Sequence, residues 1–107
     1  MWYNMAMKIL IDADGCPVVD LTLQAAAEHG LEAILFCDTS HEFKEKNARV
    51  VTVDKGSDSA DFALIRQMKP GDIVVTQDYG LAAMVLAKRG YPITQNGKRL
   101  TDANIDT

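Results

Sequence analysis

Ile9-Leu10-Ile11-Asp12-Ala13-Asp14-Gly15-Cys16-Pro17 decides the fold. A short apolar run of strand length delivers two carboxylates at its end. The pattern returns downstream: Val50-Val51-Thr52-Val53 leads to Asp54, then Asp58 and Asp61, and Ile73-Val74-Val75-Thr76 leads to Gln77-Asp78. An open parallel sheet places its ligands at the carboxyl ends of its strands. If these strands are neighbours, their aspartates share one cleft. Like charges so close repel, which makes sense chiefly when a divalent cation sits among them.

Between the runs the chain alternates. Lys8 to Ile11 reads as a strand, and Pro17 opens a helix with Val18, Leu21, Leu23 and Ala25 to Ala27 as its apolar face. His29-Gly30 closes that helix, Gly30 suiting the left-handed position beyond it. Ala33 to Cys37 is a second strand. Asp38 to Asn47 is a polar loop with at most one helical turn, and Arg49 to Val53 is a third strand. Asp58 can cap a helix with Asp61 at its third position, where Phe62, Ile65 and Met68 are spaced to cover the sheet. Lys69-Pro70-Gly71 stops it before a fourth strand, Asp72 to Thr76. Leu81, Ala82, Val85 and Leu86 form another helical face ending at Arg89-Gly90, and Tyr91 to Thr94 is a fifth strand. Asn96-Gly97 then signals a hairpin turn. This alternation predicts an α/β fold of three layers, a mostly parallel sheet with helices on both faces. Right-handed crossovers put the acid-bearing strand ends on one edge.

At 107 residues the chain is expected to be one domain with a modest core. No apolar run approaches the roughly 18 residues of a membrane span. The opening Met1 to Lys8 lacks a basic stretch followed by an apolar one, so it reads as a short leader ahead of Met7 rather than a signal peptide. Two cysteines and two histidines fall in no disulfide framework or zinc pattern, and the expected location is the cytoplasm. A net charge of -4 argues against a binder relying on a broad basic surface, but not against an enzyme acting on nucleic acid through acids. The loose groups Lys44, Lys46, Arg49 and Lys88, Arg89, Lys98, Arg99 read as solvated surface. A homodimer is the default association for a small domain of this kind.

Each acid also has a structural reading. Asp12 ends an apolar strand, where a lone buried carboxylate is costly unless paired or ligating. Asp14 can serve instead as an N-cap or first-turn residue of the helix near Pro17. Asp58 as a cap nearly explains itself, Asp61 can satisfy a free backbone N–H, and Asp78 can cap the helix of Leu81. Their convergence on one edge carries the functional reading. Cys16 lies ahead of a helix start, where a thiol can become nucleophilic, but no histidine supports it, so it is read as packing or support for the Asp12-Asp14 turn. Thr76 can orient a nearby carboxylate, although β-propensity alone explains a threonine there.

Ile11-Asp12-Ala13-Asp14-Gly15-Cys16-Pro17-Val18, Gly56-Ser57-Asp58-Ser59-Ala60-Asp61 and Gly71 to Ala82 resemble the bacterial YaiI/YqxD family, also called UPF0178 or DUF188. That family is similar to PIN-type nuclease domains. The resemblance runs from about Met7 to Ile105 and implies a single PIN-like domain. It matches Asp12 to the aspartate closing the first PIN strand, Asp61 to the one opening a central helix, and Asp78 to the one after the fourth strand. Two departures stand out. PIN nucleases usually bring a glutamate from a helix before the Asp61 position, where this chain has only Glu42 and Glu45. The family usually continues into a basic C-terminal segment, and this chain stops at Thr107.

The resemblance implies hydrolysis of phosphodiesters, RNA ahead of DNA, with Mg²⁺ or Mn²⁺ held by Asp12, Asp61 and Asp78. Asp14 and Asp58 would be further metal-holding groups, with Cys16 and Thr76 in support. An oxygen-only donor set suits these cations. The rival enzyme is a phosphatase of the haloacid dehalogenase type, with Asp12 as nucleophile, Asp14 as acid/base and Lys55 on the phosphate. The Cys-Pro context and the short chain speak against it. The third reading is a catalytically inactive domain that binds a cation or nucleic acid.

Overall fold

The hydrophobic runs pair side by side in the computed structural model, which describes residues 7–14, 16–38, 48–54 and 59–105. Its elements are β1 (Lys8–Asp12), α1 (Val19–Glu28), β2 (Glu32–Cys37), β3 (Arg49–Thr52), α2 (Ser59–Gln67), β4 (Ile73–Val75), α3 (Tyr79–Ala87) and β5 (Tyr91–Ile93). The strands form one sheet in the order β3-β2-β1-β4-β5, and every pair is parallel. The expected turn between Asp38 and Asn47 and the expected Asp58 cap fall outside the described residues.

Strand alternation divides the core in two. Ile9, Ile11, Leu35, Cys37 and Val75 face α1 and pack with Val19 and Ala26. Leu10, Ile34, Phe36 and Val74 face the opposite way and pack with Ala63 and Leu64 of α2 and Leu81 and Val85 of α3. The result is the three-layer α/β architecture, with α1 on one face and α2 and α3 on the other.

Two expected faces are corrected. Phe62 does not cover the sheet: it is 53% exposed, because Ala63, Leu64 and Met68 turn inward and leave it on the outer stripe of α2. On α1 the inward residues are Val19 and Ala26, while Leu21 is 64% exposed. That helix also starts two residues after Pro17, which forms a turn with Val18.

α1 and α3 close by the same device, with different residues. After α1, Gly30 (φ 67°) takes the left-handed position, its N–H bonding Ala27 O while Leu31 N–H bonds Ala26 O. After α3, Arg89 takes it (φ 68°), with Arg89 N–H to Leu86 O and Gly90 N–H to Val85 O. Gly90 is needed one position later for another reason. A Cβ there would stand 2.5 Å from Met68 Cε and 2.7 Å from Val85 Cγ1.

At the amino edge Asp72 is 2% exposed and fully engaged. Its carboxylate accepts from Lys8 N at 2.9 Å, Lys8 Nζ at 2.8 Å and Lys69 N at 2.8 Å, locking the start of β1 to the α2–β4 turn. Beyond β5 the predicted hairpin forms at Asn96-Gly97. Thr94 N–H bonds Lys98 O, Ile93 bridges Arg99 antiparallel, and Leu100 N–H bonds Pro92 O, so the chain folds back along the outer side of β5. Among the described residues no helix is long and apolar enough to cross a membrane.

Candidate active site

The site grows from the β1–β4 register. Ile11 pairs with Val75, which sets Asp12 beside Thr76 one step further along both strands. Asp12 follows Leu10 by two residues, so its side chain lies on the α2/α3 side of the sheet. Thr76 is buried, and its hydroxyl donates to Asp12 Oδ2 at 2.9 Å while accepting from Asp78 N–H at 3.0 Å. One side chain thereby ties the end of β1 to the entry of α3.

Asp78 does cap α3. Its Oδ1 accepts from Gly80 N–H at 2.8 Å and Leu81 N–H at 3.2 Å. Capping does not remove its charge from the site, because that charge is felt at Asp12. Burial raises the Asp12 carboxyl from its ordinary pKa, the Thr76 hydrogen bond pulls it back, and the charges of Asp78 and Asp14 push it up again. The contrast with Asp72 is instructive. That buried acid has a lysine and two backbone N–H groups, whereas Asp12 has one hydroxyl and two like charges.

Asp14 does not cap α1, whose N-cap is Val18 with no side-chain cap bond. It reaches to the neighbouring strand end instead, where Asp14 Oδ2 accepts from Asp38 N–H at 2.6 Å. Cys16 N–H bonds Ala13 O at 3.0 Å, and the half-buried Cys16 packs against the α1-side core, which holds the turn in shape. Asp61 stands in the first turn of α2, partly buried, and is not among the charges that raise the Asp12 carboxyl. The structure therefore groups Asp12, Asp14, Thr76 and Asp78, and leaves Asp61 in the first turn of its own helix. Asp58 lies outside the described residues.

A pocket of about 70 Å³ opens at this edge, lined by Asp12, Asp14, Cys16, Val75, Thr76, Gln77 and Gln95. The two glutamines are residues that the sequence reading passed over. Gln77 Oε1 accepts from Gln95 N–H at 2.6 Å, joining the ends of β4 and β5 beside the acids. Their signal was positional: each lies within two residues of a strand's carboxyl end.

As a donor set the site offers carboxylate oxygens, the chemistry that Mg²⁺ and Mn²⁺ prefer. Among the described residues no three His, Cys, Asp or Glu side chains form a group that could hold a metal ion. Mg²⁺ retains several waters and takes only one or two protein carboxylates, so a closed protein cage is not required.

The family described as "Uncharacterized BCR, YaiI/YqxD family" matches residues 10–107. The chain belongs to this family. It is 56% identical over 100 residues to the UPF0178 protein of Exiguobacterium sibiricum, a match covering 94% of this chain and 68% of that relative. The UPF0178 proteins of Alkaliphilus oremlandii and Lachnoclostridium phytofermentans are 50% and 49% identical over the same share of this chain, covering 64% and 67% of their own lengths. The chain thus spans about two thirds of the length of these YaiI/YqxD relatives. No solved structure matches it.

Proposed function

We propose that the protein is a phosphodiesterase dependent on Mg²⁺ or Mn²⁺, acting on RNA ahead of DNA. The observation that carries this reading is Asp12: a half-buried carboxylate fixed by Thr76, pressed by the charges of Asp78 and Asp14, with no cationic side chain among the described residues bound to it. Asp12 would hold the ion together with one neighbouring carboxylate, Asp14 or Asp78, and water would fill its other positions. Bound there, it supplies the positive charge that draws in a phosphodiester and relieves charge on its attacking and leaving oxygens. Thr76 fixes one oxygen of Asp12 and leaves Oδ1 outside that bond. Gln77 and Gln95 contribute polar groups at the pocket wall. The preference for RNA follows from the likeness of the motifs to PIN-type nucleases.

The test is cleavage of labelled single-stranded RNA with Mn²⁺, run beside a chromogenic phosphomonoester. The diester should be cut and the monoester ignored, with cutting lost in Asp12→Asn and Asp78→Asn. Asparagine still caps a helix, so the second variant removes charge while keeping α3 in place. Turnover of the monoester alone would install the haloacid dehalogenase reading. Calorimetric Mn²⁺ binding without turnover of either would leave a binding domain.

A further inference from the structure

Five large apolar side chains are exposed among the described residues: Met7, Leu21, Phe62, Tyr79 and Tyr91. Single exposed apolar residues are ordinary, and three of these are placed away from the acids. Met7 and Tyr91 lie at the amino ends of β1 and β5, Tyr91 with Arg99 4.8 Å above its ring. Leu21 is on α1, across the sheet. Phe62 and Tyr79 differ. Each sits in the first turn of a helix that follows a strand, at the carboxyl edge, and each adjoins a candidate site acid, Asp61 or Asp78.

Phe62 is 53% and Tyr79 39% exposed, and no ring or cation contact engages either among the described residues. Both belong to the outer stripes of neighbouring helices. One turn further along α2, on the same stripe as Phe62, Arg66 is exposed and makes no ion pair among the described residues. Two open rings at the helix entries of the acid-bearing sheet edge, with an unspent guanidinium one turn along from Phe62, offer what an unpaired nucleotide strand uses: faces for its bases and a cation for its phosphate. A duplex buries its base faces in its own stack and cannot use them.

We propose that Phe62 and Tyr79 stack unpaired bases of a single-stranded nucleic acid and that Arg66 contacts its backbone, holding the strand across the acidic edge. The inference rests on reading that edge as a phosphodiester site, but it concerns binding and is measured without cleavage.

The experiment is fluorescence anisotropy of a labelled oligouridylate with Mn²⁺, alongside an abasic strand of equal length and a duplex. Phe62→Ala and Tyr79→Ala should each weaken oligouridylate binding roughly tenfold, with Phe62→Trp and Tyr79→Phe restoring it. The abasic strand and the duplex should bind weakly to the parent and respond little to either alanine. Thermal melts confirm that the variants fold. Equal affinity of the parent and both alanine variants for oligouridylate, or equal binding of the abasic strand, overturns the stacking proposal even where the parent cleaves RNA. Ring-dependent binding by a protein that cleaves nothing sustains it and removes the phosphodiesterase reading alone.

Discussion

Thr76 donates its hydroxyl to Asp12 at 2.9 Å across the β1–β4 pair, and through Asp78 N–H it also fixes the start of α3. One buried hydroxyl sets the spacing between two of the acids. Thr76→Val keeps the volume and the strand while removing both bonds. The variant should fold, and its Mn²⁺ affinity should fall by about tenfold or more. Calorimetry on both proteins checks this, and unchanged affinity would show that Thr76 merely packs.

Asp12 predicts the pH dependence of stability without metal. Its folded pKa is raised above the ordinary 3.8, so its stabilising contribution is complete below that value and lost as pH rises through the folded one. Asparagine keeps an acceptor for Thr76 and carries no charge. Asp12→Asn should therefore melt above the parent at neutral pH, with the gap closing as the pH falls toward 3.8. A variant that melts well below the parent at pH 7 would make Asp12 a structural acceptor.

Added Mn²⁺ should separate the same two proteins in the opposite sense. It should raise the melting temperature of the parent with increasing concentration and leave Asp12→Asn unmoved, as expected of a ligand bound only to the folded state. An equal rise in both would place the ion elsewhere.

Asp72 is the control acid. Asp72→Ala strands Lys8 and two backbone donors, and should cost about 3–5 kcal/mol with or without Mn²⁺. Chemical denaturation measures it. A loss under 1 kcal/mol would mean the Lys8 clamp contributes little.

The end of α3 offers a paired test. Arg89→Gly relieves a left-handed arginine and should stabilise by roughly 0.5–1 kcal/mol. Gly90→Ala drives a methyl into Met68 and Val85 and should cost about 1–3 kcal/mol. The reverse ordering in denaturant midpoints would refute this assignment of the two positions.

The layered sheet was legible because apolar runs, turn residues and helical spacing agreed along the chain, and the all-parallel register then brought Asp12, Thr76 and Asp78 together. The side on which Phe62 falls was not legible. A phenylalanine among apolar neighbours looks inward, and only the packing of Ala63, Leu64 and Met68 turns it out. The partner of Asp14 was equally hidden: a carboxylate before a helix suggests a cap, while its actual donor, Asp38 N–H, is brought near only when β2 lies beside β1. Arg89-Gly90 misleads in the same way, since the glycine satisfies a packing limit and the arginine takes the turn.

The hairpin that folds back along β5 has a consequence for self-association. Thr94 N–H and Pro92 O, the groups with which β5 would pair a second copy, are already bonded to the chain's own Lys98 and Leu100. A neighbouring molecule therefore cannot add a strand directly to β5.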